Sequence, residues 1–195
     1  KINKQNSERN ILYRAGRLFS QTLDVTAIFN AVFDVITDIV DFSELFVARY
    51  ESKEKLIKYI YMRSKQSGEH IDVSNVPAIP LAPKGFGILS DVIRRSESII
   101  LNDYQETLKR SKTTVKVSVQ RKDELANTAE SESKPQSAVI VPIILDDNVL
   151  GVIQLYSQNK DAYTSEQLVF LEGLMQQASL AYHNAMLFQK AQDEI

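Results

Sequence analysis

Cysteine does not occur in the 195 residues. Its absence excludes disulfides, thiolate zinc sites, iron–sulfur clusters and cysteine nucleophiles. It also fits a cytoplasmic location, which is the one expected here. Long apolar runs are missing as well. The longest, such as Ala138 to Leu145, fall far short of the roughly 20 residues that span a bilayer, and no charged-then-apolar leader opens the chain. No membrane contact by this domain itself is expected. Nor is there an excess of either charge: 25% of residues are charged and they sum to −2. Without a basic patch there is nothing to draw nucleic acid, and no acidic block reads as a solvating tail. Histidine occurs twice, at His70 and His183, and no histidine–carboxylate cluster has metal-ligand spacing. No metal is expected.

What is present is a hydrophobic content of 44%, enough for one core and short of two. A single domain over 1–195 is expected. The chain opens at Lys1 rather than Met and still reads as helix at Ile195, so a piece of a longer protein is expected.

Periodicity divides the chain. Ile11, Leu12, Ala15, Leu18 and Phe19 recur at three-and-four spacing, predicting a first helix over about 3–20. Asp24 is a good N-cap for a second, over about 24–40, with Val25, Ile28, Phe29, Val32, Phe33, Ile36 and Ile39 on one side. Glu44 to Glu51 and Leu56 to Met62 are rich in β-forming residues around the polar turn Ser52-Lys53-Glu54-Lys55, and predict an antiparallel hairpin. Pro77, Pro80 and Pro83 oppose regular structure in the next stretch. Gly85-Phe86-Gly87 then bends the chain into a short helix through Ile88, Leu89, Val92 and Ile93, followed by a strand at Ser98 to Leu101. Residues 105–136 are polar, and apart from a strand-like alternation at Val115, Val117 and Val119 are expected to be a mobile loop. The hairpin Ala138 to Leu145 and Val149 to Tyr156 turns on Asp146-Asp147-Asn148. Gly151 marks a bulge or a close backbone approach. Thr164 with Gln167 forms a capping box for a long last helix.

This order resembles the GAF domain family. Leu18-Phe19-Ser20-Gln21-Thr22-Leu23-Asp24 is similar to the family's entry into its first core helix. Gly85-Phe86-Gly87-Ile88 with Ser96-Glu97-Ser98-Ile99-Ile100 is similar to its glycine turn, short helix and pocket strand. Val139 to Ile144 with Val149 to Ile153 resembles its most recognisable hairpin, and Tyr163 to Phe188 its terminal helix. The resemblance covers about residues 8–190. It implies an α+β, PAS-related fold: a central antiparallel sheet, N- and C-terminal helices on one face, and pocket loops with a short helix on the other. The core would be about 22–182, with 1–21 and 183–195 as flanking signalling or dimerisation helices.

The resemblance puts the ligand-facing wall at Tyr61, Phe86, Leu89, Asp103, Tyr104, Ser137, Val139 and Gln154. Tyr61 and Tyr104 would stack on a planar ligand, and Asp103 and Ser137 would orient it. The competing reading is that the aromatics only fill the core. Asn159-Lys160 and Tyr163 partly match the motif of cyclic-nucleotide members, but Glu166-Gln167 replaces the acidic pair. A polar loop and helix cap is the better reading. Without cysteine, a bilin thioether link and the methionine-sulfoxide reductases of this fold are both closed. His70 is the one candidate for a haem ligand, and His183 reads as a packing residue. Ile11, Leu12, Leu18, Leu187 and Phe188 are candidates for a helical bundle with a second copy. The resemblance therefore implies a non-catalytic ligand-sensing domain of a multidomain signal-transduction protein, homodimeric and covalently linked to an output domain. The alternatives are a ligand-free structural dimerisation module, or a non-covalent haem or chromophore sensor. The small-molecule ligand and any cofactor are left unidentified.

Overall fold

The computed structural model describes residues 2–110 and 134–194. Helices α1 (Ile2–Phe19) and α2 (Val25–Ile36) lead into the hairpin β1 (Glu44–Glu51) and β2 (Leu56–Ser64). A two-residue strand β3 (Ile79–Pro80), α3 (Ile88–Arg95), β4 (Ile99–Leu101) and α4 (Tyr104–Arg110) follow. The hairpin β5 (Ser137–Leu145) and β6 (Asn148–Ser157) and the long α5 (Ser165–Asp193) complete the order. The strands form one six-stranded sheet, in the order β3-β2-β1-β6-β5-β4, antiparallel throughout.

Local chemistry sets the element ends. The Asp24 carboxylate accepts the Thr26 N–H at 2.8 Å and starts α2. That helix stops at Ile36, short of the expected 40: after the Thr37 N–H bonds the Phe33 carbonyl, the chain tightens into a turn in which the Ile39 N–H donates to the Ile36 carbonyl at 3.0 Å. Thr164 and Gln167 bond each other reciprocally at the head of α5 as a capping box. Asp146 and Asp147 both hold positive φ, 48° and 61°, which gives the tight β5–β6 turn a twist matching its strands. At Gly151 an added Cβ would collide with the Ala48 carbonyl on β1. Glycine is therefore required there to let β6 lie against β1.

The sheet separates two apolar layers. On one face Leu45, Val47, Tyr61, Val139, Val141, Ile143, Ile153 and Leu155 pack with α1, α2 and α5. On the other, Ala48, Ile57, Tyr59, Met62, Ala138, Ile140 and Val152 pack with α3 and the loop before it. Alternation along the strands assigns residues to these layers, interrupted where β6 carries an extra residue at Leu150 and β2 one at Ile60. The β1–β2 register slips between Val47 and Ala48, so Ile60 is an extra residue in β2. A bulge puts two consecutive side chains on one face, and here Ile60 and Tyr61 both join the helix layer while Tyr59 stays on the other.

The terminal helices run side by side in the same direction: a Cβ on Gly173 would touch Leu12 at 3.0 Å, and one on Gly16 would meet Gln177 at 2.5 Å. Ile11 and Leu12, two of the candidates for a bundle with a second copy, are half-buried against the chain's own helix layer. Leu18, Leu187 and Phe188 remain 52%, 54% and 45% exposed, joined on α5 by Val169 and Leu180. The expected loop over 105–136 begins as helix through Arg110. Its residues 111–133, with the strand-like Val115, Val117 and Val119, lie outside the described residues.

Candidate functional site

A cavity of about 570 Å³ opens on the face of the sheet away from α1, α2 and α5. Its floor comes from Phe46 on β1, Tyr59 on β2, Ile140 on β5, and Gln154 and Tyr156 on β6. Pro80, Ala82 and Phe86 to Ser90 form one wall, and Tyr104, Gln105 and Leu108 of α4 the other. Both walls are tied down locally. Gly85 takes φ 81°, and its N–H donates to the Asp91 carboxylate at 3.0 Å. The Ser90 hydroxyl accepts the Ala82 N–H at 3.0 Å. The Tyr104 N–H donates to the Gln136 carbonyl at 2.7 Å, and the Gln105 amide to the Pro135 carbonyl at 2.6 Å, so α4 is fastened to the start of β5.

The floor is aromatic with a polar centre. Phe46 meets Tyr59 and Tyr156 edge-on at 5.8 and 5.4 Å, and Tyr104 meets Tyr156 at 5.3 Å. Such edge-to-face pairs align each ring's positive rim with its neighbour's negative face. The Tyr156 hydroxyl donates to Gln154 Oε1 at 2.8 Å. Burial pushes the Tyr59 hydroxyl up to about 12, with the neighbouring Gln154 amide opposing the rise. It also raises Tyr104 and, most strongly, Tyr156. All three phenols are therefore neutral at ordinary pH. Gln154 is fully buried, and its Nε2–H has no hydrogen-bond partner of acceptable geometry.

Of the residues expected to face a ligand, Phe86, Leu89, Tyr104 and Gln154 line this cavity. The other four do not. The bulge at Ile60 turns Tyr61 into the helix layer, where its ring meets Phe29 at a tilt, 5.8 Å between centroids, and its hydroxyl donates to Asn30 Oδ1 at 3.0 Å. Tyr59 occupies the position expected of it. Val139 lies one residue out of phase, so Ile140 is the β5 residue on the floor. The Ser137 hydroxyl is spent on the Asn159 carbonyl at 2.6 Å. Asp103 accepts the Glu106 N–H at 3.2 Å and the Lys160 ammonium at 2.7 Å, the Lys160 contact chiefly holding its carboxyl below the usual range. Phe46, Tyr59 and Tyr156, missed in the sequence, were available from strand alternation; the bulge was not.

Asn159 and Lys160 are structural. The Asn159 amide and the Ser157 hydroxyl both donate to the Asp41 carboxylate, at 2.9 and 2.7 Å, and Lys160 pairs with Asp103. Tyr163 is buried in the helix layer. His70 sits edge-on to Tyr61 at 5.0 Å, outside the cavity lining, with burial and the nearby Arg63 lowering its basicity. The candidate haem ligand therefore does not face this cavity. Among the described residues no group of histidines and carboxylates could hold a metal, and no helix is long and apolar enough to cross a membrane.

The family model for the GAF domain matches residues 22–183. Among solved structures, the chain is similar to the GAF domain of an Acinetobacter phosphoenolpyruvate-protein phosphotransferase, at 15% identity and TM-score 0.66, with 93% of this chain and 96% of that one covered. It is also similar to the free methionine-R-sulfoxide reductase of Neisseria meningitidis, solved with its substrate, at 12% identity, TM-score 0.62 and 92% and 90% coverage. A methyl-accepting chemotaxis protein, residues 122 to 287, matches at 12% identity, TM-score 0.61 and 89% and 98% coverage. No curated protein matches the sequence.

Proposed function

The chain belongs to the GAF domain family, and from that premise we propose that it is a ligand-sensing regulatory domain of a multidomain signalling protein. The observation that carries this reading is the cavity of about 570 Å³, with aromatic and aliphatic walls and a few converging polar groups. That combination is the usual form of a small-molecule site. The reading is non-catalytic: with no cysteine in the chain, thiol-based reduction has no sulfur nucleophile.

Transmission would run through the two parallel terminal helices, because α5 is packed on the β5 layer and on α1 at once. A ligand that favours one arrangement of α3 and α4 over another biases the sheet and hence α5. The exposed Leu180, Leu187 and Phe188 of α5 favour pairing with a second copy, in which α5 would form a helical bundle. A scaffold without ligand would share that dimer, so the two readings part at the cavity.

The test is thermal denaturation of the purified protein against a library of cell metabolites, repeated on Ala82→Trp, which fills the half-buried cavity wall. A metabolite that raises the melting temperature of the native chain and not of Ala82→Trp is expected. Equal shifts in both, or none in either, reject the sensing role. Light scattering of Leu187→Glu tests the dimer, with a native dimer and a monomeric variant expected.

A further inference from the structure

The cavity also constrains what can enter it. We infer that its ligand is an uncharged, planar aromatic molecule that presents a carbonyl oxygen or ring nitrogen to the side-chain amide of Gln154. This rests on reading the cavity as a ligand site and goes on to name the chemistry.

The first observation is the amide itself. Gln154 lies mid-strand on β6, opposite Phe46 and Ile140 in its neighbours, fully buried on the cavity side of the sheet. Its Oε1 holds the Tyr156 hydroxyl, and its Nε2–H, near the Tyr59 hydroxyl, makes no hydrogen bond of acceptable geometry. A buried donor without an acceptor is destabilising, and a leucine or methionine would avoid that cost. The donor has no exposed area, so water does not compensate it. An acceptor on a ligand would.

Charge is the second. Of the described residues lining the cavity, the only charged ones are Glu44 and Lys134. Lys134 is exposed at the mouth. Glu44 lies close enough to Tyr156 to help keep its phenol protonated. An anion placed against Gln154 would give up its hydration beside a carboxylate, and among the described lining residues the one cation, Lys134, lies at the solvent-exposed mouth.

Shape is the third. Phe46, Tyr59, Tyr104, Tyr156 and Phe86 present ring faces and edges around the space, which suits a flat apolar ring system. Tyr104 rides on the seven-residue α4 and touches Tyr156 at 5.3 Å.

Three probes of similar size separate the terms: 4-quinolone (neutral, with an acceptor), naphthalene (neutral, without one) and 2-naphthoate (anionic). Each is titrated into the whole chain and into Gln154→Met, which keeps the volume and removes the amide. We expect 4-quinolone to bind at least tenfold tighter than 2-naphthoate. Gln154→Met should weaken it at least tenfold, with naphthalene affinity changed less than twofold. In the native chain, the Gln154 side-chain amide protons should shift in a nitrogen–proton correlation spectrum with 4-quinolone and not with naphthalene, a readout that needs no variant. If naphthalene binds while 2-naphthoate equals or beats 4-quinolone, or if Gln154→Met binds 4-quinolone as well as the native chain, the ligand class is wrong and the cavity reading stands. If none of the three binds, the ligand class fails, and the metabolite screen with Ala82→Trp alone decides the cavity reading.

Discussion

Tyr182 offers a sharp test of the packing account, because the expected result runs against intuition for a fully buried residue. Its side chain sits in the helix layer at 0% exposure, edge-on to Phe29 at 5.3 Å, and its hydroxyl has no hydrogen-bond partner. An unsatisfied buried polar group costs about 1–3 kcal/mol, whereas the void left by one oxygen is small. Tyr182→Phe should therefore stabilise the chain by about 1–2 kcal/mol, which for a domain of this size raises Tm by roughly 2–8 °C. Tyr61→Phe is the matched control. That hydroxyl donates to Asn30 at 3.0 Å, so the same change of chemistry should destabilise by about 0.5–1.5 kcal/mol. Urea unfolding with unchanged m-values measures both. If Tyr182→Phe destabilises by as much as Tyr61→Phe, the Tyr182 hydroxyl has a partner and the packing account of this layer is wrong.

Three further changes follow from the backbone and the charges. Ser96 ends α3 in a left-handed conformation, φ 54° and ψ 34°, so Ser96→Gly should gain about 0.5–1 kcal/mol in denaturant unfolding. Gly151→Ala would drive a Cβ into the Ala48 carbonyl on the adjoining central strand. It should cost at least about 1–3 kcal/mol in the same assay, and a neutral result would mean that β1 and β6 do not pair in this register. The Asn159 and Ser157 donors lower the pKa of Asp41. A depressed folded value stabilises above the unfolded carboxylate value of about 3.9 and is lost as pH falls through the folded one. Melting curves below pH 4 should therefore be flatter against pH for Asp41→Asn than for the native chain.

Most of the fold was legible because it is written in periodicity and turn chemistry. Both hairpins, the Asp24 cap and the Thr164–Gln167 capping box are local decisions of a few residues, and they stand where the sequence put them. What escaped was phase. Tyr59 and Tyr61 are two apart and would share a face in a regular strand. One extra residue at Ile60 separates them, sending Tyr61 to the helices and leaving Tyr59 on the cavity floor. No local composition announces that bulge. Ile140 displaces Val139 for a related reason: in β5 every residue from Ser137 to Ile143 is buried, so hydrophobicity does not alternate and cannot tell one face from the other. Asp103 and Ser137 failed differently. Their polar groups were spent on Lys160 and Asn159, partners distant in sequence. Leu12 likewise found its partner at Gly173 within the chain.

The central claim is that the cavity floored by Tyr59, Gln154 and Tyr156 holds a small molecule. It is tested most directly by native mass spectrometry of the intact chain after incubation with a metabolite extract and removal of unbound material. The account predicts a discrete added mass on the native chain that is missing from Ala82→Trp. A native chain that emerges bare, or the same added mass on both proteins, would contradict it.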